Sequence, residues 1–210
     1  MILSCDQIAD RLEKKGPADQ FIVIAPQPEL KVLREKPSAS VDLRLGTWFL
    51  AARTSSATHF DVFEQNIPEH KFVRQGYAPL GKPFIIHPHE FVLAATLEWI
   101  SMPKGLSGYV TGKSSLGRRG LVIETSPGVH PLFAGCIALE LANVGEIPIT
   151  VVPGMPICQL FFHTVLGNPP ATPAGGFSCR RQPVLGAIKL GPLVEKLRQR
   201  NALGEPPKDK

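Results

Sequence analysis

The stretch Cys136-Ile137-Ala138-Leu139-Glu140-Leu141-Ala142 alternates large apolar side chains with small or charged ones. Successive side chains of a β-strand point to opposite faces, so this alternation predicts a half-buried strand. The three large residues would then face a core. Glu140 would lie on the opposite face, between two alanines. It is either a solvent-facing carboxylate or a carboxylate in a small-lined pocket, where it could shuttle protons.

Similar strand-like segments recur along the chain, and turn signals such as Leu45-Gly46 and Pro153-Gly154 separate them. The 21 prolines and 19 glycines fit many short strands joined by tight turns. This spacing predicts an all-β sandwich, jelly roll or barrel. The predicted strands cover residues 21–25, 40–45, 48–52, 84–86, 91–97, 106–111, 121–124, 136–142, 149–152 and 157–164.

Helices are predicted only near the two ends. Ser4 and Gln7 form a capping-box pattern at the start of a helix over residues 4–15. A second helix is predicted from about Pro192 to Ala202, before a charged tail that we expect to be disordered. The polar residues 54–80 are predicted to form an insertion loop.

Composition favours a soluble cytoplasmic protein with one domain. The chain has 210 residues and no apolar run of the ~18 residues that a membrane span requires. Its N-terminus lacks the features of a signal peptide, and its four cysteines contain no Cys-x-x-Cys pair. The net charge of +5 is dispersed without an aromatic-rich basic stripe, so we expect no nucleic-acid partner.

The segment Gly112-Lys113-Ser114-Ser115-Leu116-Gly117-Arg118-Arg119-Gly120-Leu121 gathers hydroxyls, glycines and basic side chains. It is either a polar turn entering a short helix or a phosphate-binding turn. In the second case the forked donors of Arg118 and the short donors of Ser114 and Ser115 would surround phosphate oxygens. The glycine spacing differs from that of a Walker A loop.

Together with residues 112–121, the segments 135–143 and 153–160 resemble the dCTP deaminase branch of the dUTPase-like superfamily. Residues 40–46 and 87–98 support the match. These segments follow the family order through nearly the whole chain. The Gly-Lys-Ser-Ser-Leu-Gly-Arg block and the strand glutamate are specific in combination.

The resemblance implies an all-β fold, a distorted jelly roll or β-barrel of the dUTPase-like type with a short N-terminal helix and a C-terminal helix. Residues 1–190 would form a single domain whose C-terminal lid covers about residues 172–190. Residues 191–210 would form the terminal helix and tail. The resemblance also implies a homotrimer with active sites between subunits.

The resemblance also assigns an activity, the metal-free hydrolytic deamination of dCTP to dUTP and ammonia. Glu140 would be the general acid/base, assisted by Ser114 and Arg118 as catalytic residues. No catalytic cofactor is expected, and Mg²⁺ would enter only with the triphosphate. His87 and His89 are interpreted as turn residues because the zinc-deaminase motifs are absent. The expected substrate-binding residues are Lys113, Ser114, Ser115, Arg118, Thr125, Ser126, His130 and Gln182.

Three departures from the family pattern leave the substrate and product open. His130 stands where the family usually has an aspartate, and the loop that holds Thr125 and Ser126 is about one residue short. Ser178-Cys179 occupies the place of a Lys-Tyr pair in the lid, where Arg180-Arg181 could replace the missing charge. The alternatives are a bifunctional enzyme that continues to dUMP, a modified-cytosine substrate and a non-catalytic nucleotide-binding regulator.

Overall fold

A computed structural model of the chain describes residues 1–53, 72–124, 128–168, 171–172, 178–186 and 191–202. The α-helices in these residues are α1 (Cys5–Leu12), α2 (Leu30–Glu35), α3 (Ser114–Gly117) and α4 (Pro192–Ala202). The strands are β1 (Val23–Ala25), β2 (Ser40–Arg44), β3 (Trp48–Ala52), β4 (Val73–Tyr77), β5 (Phe84–Ile86), β6 (Phe91–Ser101), β7 (Leu106–Gly112), β8 (Leu121–Glu124), β9 (Gly128–Val129), β10 (Ala134–Asn143), β11 (Ile149–Val151) and β12 (Pro156–Thr164).

The strands pair antiparallel in three sheets within the described ranges. The largest sheet has the order β4-β3-β6-β10-β8, and β1 pairs with the far end of β6. A second sheet has the order β2-β12-β7-β9, and β11 pairs with β5. The prediction of a mostly β fold is confirmed, and the open-edged sheets are consistent with a distorted barrel.

Strand β10 has the predicted alternation. Ile137, Leu139 and Leu141 are buried in the core, whereas Glu140 is half-buried on the other face, between Ala138 and Ala142. Each fully buried side chain of this size stabilises the fold by roughly 1.5–3 kcal/mol. Burying the three large residues therefore holds Glu140 on the outer face of the strand.

An ion pair between Arg44 and Glu98 ties the two larger sheets together. Glu98 of β6 is only 3% exposed. Its carboxylate accepts hydrogen bonds from the Arg44 main-chain amide at 2.8 Å and from Arg44 Nε at 2.6 Å. Because an unpaired carboxylate is costly to bury, Glu98 holds β2 at a fixed position against β6.

The N-terminal helix begins as predicted but ends earlier. Ser4 and Gln7 form the reciprocal capping box, with both hydrogen bonds at 3.2 Å. The predicted end at residue 15 is wrong, because Lys14 (φ 59°) and Gly16 (φ 97°) adopt left-handed backbone conformations that end the helix at Leu12. The predicted C-terminal helix is confirmed as α4. None of the described helices is long and apolar enough to cross a membrane.

The structure corrects the prediction of a loop over residues 54–80. Residues 73–77 form β4, which pairs with β3 from Trp48↔Tyr77 to Ala52↔Val73. Strand β4 has no apolar alternation because it is a largely exposed edge strand, so its sequence carried no periodic signal. Residues 54–71 lie outside the described part of the chain. The short strand β9 and helix α2 were not predicted either.

The Asn143 side chain holds the turn that follows β10. Its amide group donates to the carbonyl oxygens of Ile86 (3.0 Å) and Ile147 (2.8 Å) and accepts from the Gly145 amide at 3.0 Å.

Asn143→Ala should lower the free energy of unfolding by about 2–4 kcal/mol, because buried polar groups lose their partners. Urea denaturation at a fixed protein concentration measures this loss. The exposed Asn168→Ala control should stay within about 0.5 kcal/mol of wild type. Equal effects of the two variants would contradict the assigned role.

Candidate active site

A cavity of about 350 Å³ lies against the outer face of β6 and β10. Leu93 and Ala95 of β6 line it together with Cys136, Ala138 and Glu140 of β10. Glu140 is directly opposite Leu93 in the strand pairing, and Ala138 is opposite Ala95. Directly paired residues share a face of the sheet, so these strands present one continuous floor to the cavity.

The remaining walls are mostly apolar. One side is enclosed by Val129, at the end of the short strand β9, and by His130 and Phe133, which follow it. Residues 178–186, which we call the strap, close another side with Ser178, Arg180 and Gln182, and with the apolar residues 183–185. A bound molecule with a flat ring would thus contact apolar side chains on several sides and polar groups at only a few points. This arrangement is typical of a small-molecule site.

Glu140 is the only carboxylate among the described residues that line the cavity. Its half-buried side chain rises from the middle of β10, which is paired on both sides, with β6 and with β8. Such a carboxylate can accept a proton from one atom of a bound molecule and return it to another. The rigid sheet fixes where that transfer takes place.

The Cys136 thiol shares the cavity floor with Glu140 but differs in reactivity. Burial raises the pKa of Cys136, and Glu98 raises it further while Arg181 opposes the shift. At neutral pH the side chain is therefore a neutral thiol and a poor nucleophile. Among the described lining residues, this leaves Cys136 as a neutral wall residue and Glu140 as the carboxylate available for acid-base chemistry.

The strap docks on the beginning of β10 through main-chain hydrogen bonds. The Cys136 amide donates to the Arg180 carbonyl oxygen at 2.8 Å, and the Cys179 amide donates to the carbonyl oxygen of Ala134. Gly135 lies between these two bonds with φ of +150°, and a Cβ atom there would come within 3.2 Å of the Arg180 carbonyl oxygen. Glycine therefore permits the close approach of the strap.

Over residues 178–182 the side chains of the strap alternate between the cavity and the outside. Ser178, Arg180 and Gln182 line the cavity, whereas the Arg181 guanidinium lies 5.5 Å from the centre of the Trp99 ring. Gln182 also accepts a hydrogen bond from Gln75 at 3.3 Å. The Ser178 hydroxyl is buried with no hydrogen-bond partner among the described residues. The two arginines thus have different positions, Arg180 at the cavity and Arg181 on the tryptophan.

The predicted site residues divide into two groups. Glu140, His130 and Gln182 line the cavity. The phosphate-binding candidates lie elsewhere, on the turn at α3, beside β8. This second group comprises Lys113, Ser114, Ser115 and Arg118. None of these four residues is among the described residues that line the cavity. Thr125 and Ser126 lie outside the described residues.

The turn at α3 presents its polar groups to solvent. Ser114, Ser115 and Arg118 are exposed. Lys113 forms an ion pair with Asp42 at 2.9 Å, and Asp42 also pairs with Lys36 at 3.1 Å. Two hydroxyls and a guanidinium therefore remain exposed on a turn only a few residues long. The turn can bind an anion that approaches from outside the subunit.

Sequence reasoning missed several residues of the cavity. Cys136 could have been found, since it lies two and four residues before Ala138 and Glu140 on the same strand face. Leu93 and Ala95 could not, because only the pairing of β6 with β10 brings them to the site. The described residues contain no group of three or more histidine, cysteine or acidic side chains that could hold a metal ion.

The sequence profile of the dCTP deaminase-like family matches residues 2–165. The chain belongs to this family. A relative from Dictyoglomus thermophilum named dCTP deaminase, dUMP-forming, is 38% identical over 169 residues, which are 79% of this chain and 84% of the relative. A relative of the same name from Methanosphaera stadtmanae is 34% identical over 193 residues, 91% of this chain and 94% of the relative.

A solved structure supports the fold of this family member. The crystal structure of 2′-deoxycytidine 5′-triphosphate deaminase from Agrobacterium tumefaciens is similar, with a TM-score of 0.55 and 20% sequence identity. The similarity covers 77% of this chain and 47% of that chain, so this chain spans about half the length of the Agrobacterium protein. At this identity the likeness concerns the fold alone.

The contact between Arg181 and Trp99 gives an optical test of strap docking. In a Trp48→Phe background Trp99 is the only tryptophan. Arg181→Ala should shift its emission to the red and increase its quenching by acrylamide, because a cation–π contact of about 0.5–1 kcal/mol is lost. The neighbouring Arg180→Ala is the matched control and should leave the emission unchanged. Equal changes in both variants would show that Trp99 does not distinguish the two arginines.

Proposed function

We propose that this protein deaminates dCTP to dUTP and ammonia in the cytoplasm, as a step of pyrimidine deoxynucleotide metabolism. The observation that carries the proposal is the position of Glu140, the one carboxylate among the described residues of a mostly apolar cavity. The cavity volume of about 350 Å³ is large enough for a pyrimidine nucleoside. The dCTP deaminase names of the relatives support the choice of substrate.

The proposed reaction needs a group that moves protons twice. Glu140 takes a proton from water while the hydroxide adds to C4 of cytosine, and it gives that proton to ring N3. It then transfers the proton of the new hydroxyl to the amino nitrogen, so that ammonia leaves and a carbonyl forms at C4. The carboxylate ends in its starting state. Mg²⁺ would accompany the substrate and bind mainly through phosphate oxygens.

The triphosphate requires cationic and hydroxyl donors that one subunit does not bring to the cavity. We assign it to Lys113, Ser114, Ser115 and Arg118, none of which is among the described residues that line the cavity of their own subunit. A homotrimer with sites between subunits would place this turn from one copy at the Glu140 cavity of the next. In the same site Ser114 and Arg118 would help to order the water, while Thr125, Ser126, His130 and Gln182 would contact the nucleoside.

A second candidate is a bifunctional enzyme that continues to dUMP and pyrophosphate. The names of the relatives favour it, since they are described as dUMP-forming. Hydrolysis of the phosphate chain needs a second activated water, whereas the described cavity wall offers no carboxylate besides Glu140. His130 lines the same cavity, and histidine side chains serve as general bases in many enzymes. The two candidates therefore share the deamination and differ in the product.

Glu140→Gln should fold and bind nucleotide but lose deamination by about 10³-fold, because the amide cannot carry a proton. The measurement is chromatography of products after incubation with Mg²⁺ and, separately, dCTP, CTP, dCMP and dUTP. The control is Glu146→Gln, which changes an exposed carboxylate beyond the end of β10. Retained turnover in Glu140→Gln would remove this residue from the mechanism.

The products identify which candidate is correct. Appearance of dUTP from dCTP supports the deaminase, and appearance of dUMP supports the bifunctional enzyme. If the wild-type protein binds these nucleotides without converting any of them, it acts as a regulatory homologue or takes a modified cytosine.

A mixture of inactive variants tests the shared site. Arg118→Ala should raise the KM for dCTP strongly, because a guanidinium that binds phosphate is lost. When Arg118→Ala and Glu140→Gln chains are co-expressed in equal amounts, about one quarter of the sites would combine both intact residues in a trimer. Activity should therefore return. A mixture no more active than the separate variants would indicate that both residues act within one subunit.

A further inference from the structure

The pairing between β6 and β10 contains an irregularity next to the cavity. Cys136 is opposite Trp99, and the next pair is Ala138 opposite Ala95. Three residues of β6, numbers 96–98, therefore lie opposite Ile137 alone. A bulge of this kind leaves main-chain groups without ladder partners and changes the local twist.

The Thr96 side chain supplies the missing partner. Its hydroxyl accepts a hydrogen bond from the Ile137 amide at 2.9 Å and donates one to the Glu98 carbonyl oxygen at 2.9 Å. Thr96 is only 2% exposed, so water cannot replace either bond without a rearrangement. One hydroxyl thus joins the bulge of β6 to the single residue of β10 that faces it.

The bulge is also held from the neighbouring sheet. Glu98 binds Arg44 of β2, and Leu45 forms an isolated bridge with Thr96. The Gly46 amide donates to the Ala95 carbonyl oxygen at 2.8 Å. These contacts fix β6. On β10 the Cys136 amide bonds to the strap, and the Ile137 amide, which lies at the irregularity itself, bonds to the Thr96 hydroxyl.

Besides core packing, the register of β10 against β6 at this point sets where Glu140 lies on the cavity floor. Glu140 follows Ile137 by three residues and is opposite Leu93. A one-residue slip of a strand moves each of its side chains to the other face, which would turn Glu140 towards the core. Smaller distortions would tilt the carboxylate away from its place on the cavity floor.

We propose that Thr96 is a positioning residue for the reaction, and that its hydroxyl holds β10 in the register that directs Glu140 into the cavity. The inference rests on the proposed role of Glu140. Thr96 does not line the cavity, so it acts through Ile137 and the strand rather than on the substrate.

The test compares Thr96→Val, which keeps the shape and removes the hydroxyl, with Thr96→Ser, which keeps the hydroxyl. Thr96→Val should lower kcat for dCTP by about 100-fold with little change in KM, since small misplacements of a reacting group have effects of this size. Thr96→Ser should stay within a few-fold of wild type. Ser40→Ala is the matched control, because it removes another buried hydroxyl from a strand outside the cavity.

Amide hydrogen exchange measured by NMR tests the same inference without activity. The Ile137 amide should exchange at least about tenfold faster in Thr96→Val than in wild type. In Thr96→Ser and Ser40→Ala it should stay protected. A wild-type kcat together with unchanged Ile137 protection in Thr96→Val would overturn the proposal, as would an equal loss of kcat in all three variants.

Failure of the proposed function and failure of the Thr96→Val variant to fold can each be told apart from failure of this inference. If wild-type protein does not deaminate dCTP, the proposed function fails, and exchange at Ile137 and Glu140 still decides whether Thr96 holds the strand. If Thr96→Val does not fold, Thr96→Cys takes its place, because a thiol is a weak acceptor of similar size. Its kcat should fall between those of Thr96→Ser and Glu140→Gln, and a wild-type kcat with full Ile137 protection would contradict the assignment.

Discussion

The antiparallel pairing of β6 with β10 is the constraint on which the rest of the structure depends. These strands are central in the largest sheet, and each contributes one face to the core and the other to the cavity floor. Core packing of the large β10 side chains leaves Glu140 no other place than the outer face. The ion pair between Arg44 and Glu98 then joins this sheet to the second one. Fold and site are therefore specified by the same hydrogen-bond ladder.

The separation of the two groups of polar residues follows from their chemistry. A carboxylate that exchanges protons benefits from apolar walls, because a low-polarity surrounding keeps competing water away from the reacting atoms. A polyanion instead needs exposed cations and hydroxyls that can exchange hydration for direct contacts. Glu140 meets the first condition in the cavity, and Arg118 with its neighbouring serines meets the second on the exposed turn. Within one subunit the two environments lie apart, which is why the proposed function places the reaction between copies of the chain.

Much of the fold was predictable because its signals are local. The alternation around Glu140 and the capping box at Ser4 each depend on residues within one strand or one turn, and both predictions are confirmed. Features that depend on distant parts of the chain were not predictable. Strand β4 exists because β3 offers a free edge, and the roles of Arg180 and Arg181 differ only because Trp99 lies beside one of them. Neither fact leaves a pattern in the sequence near these residues.

The position of the strap depends on its main chain more than on its side chains. Its position is set by main-chain bonds to Ala134 and Cys136 and by the close approach at Gly135. Main-chain contacts depend little on side-chain identity, so the docking of the strap does not require the Lys-Tyr pair that the family resemblance leads us to expect at Ser178 and Cys179. What changes is the set of groups that the strap presents to the cavity: a small buried hydroxyl at Ser178 and a guanidinium at Arg180. Main-chain bonds thus set where the strap lies, and Ser178 and Arg180 set which polar groups it presents to the cavity.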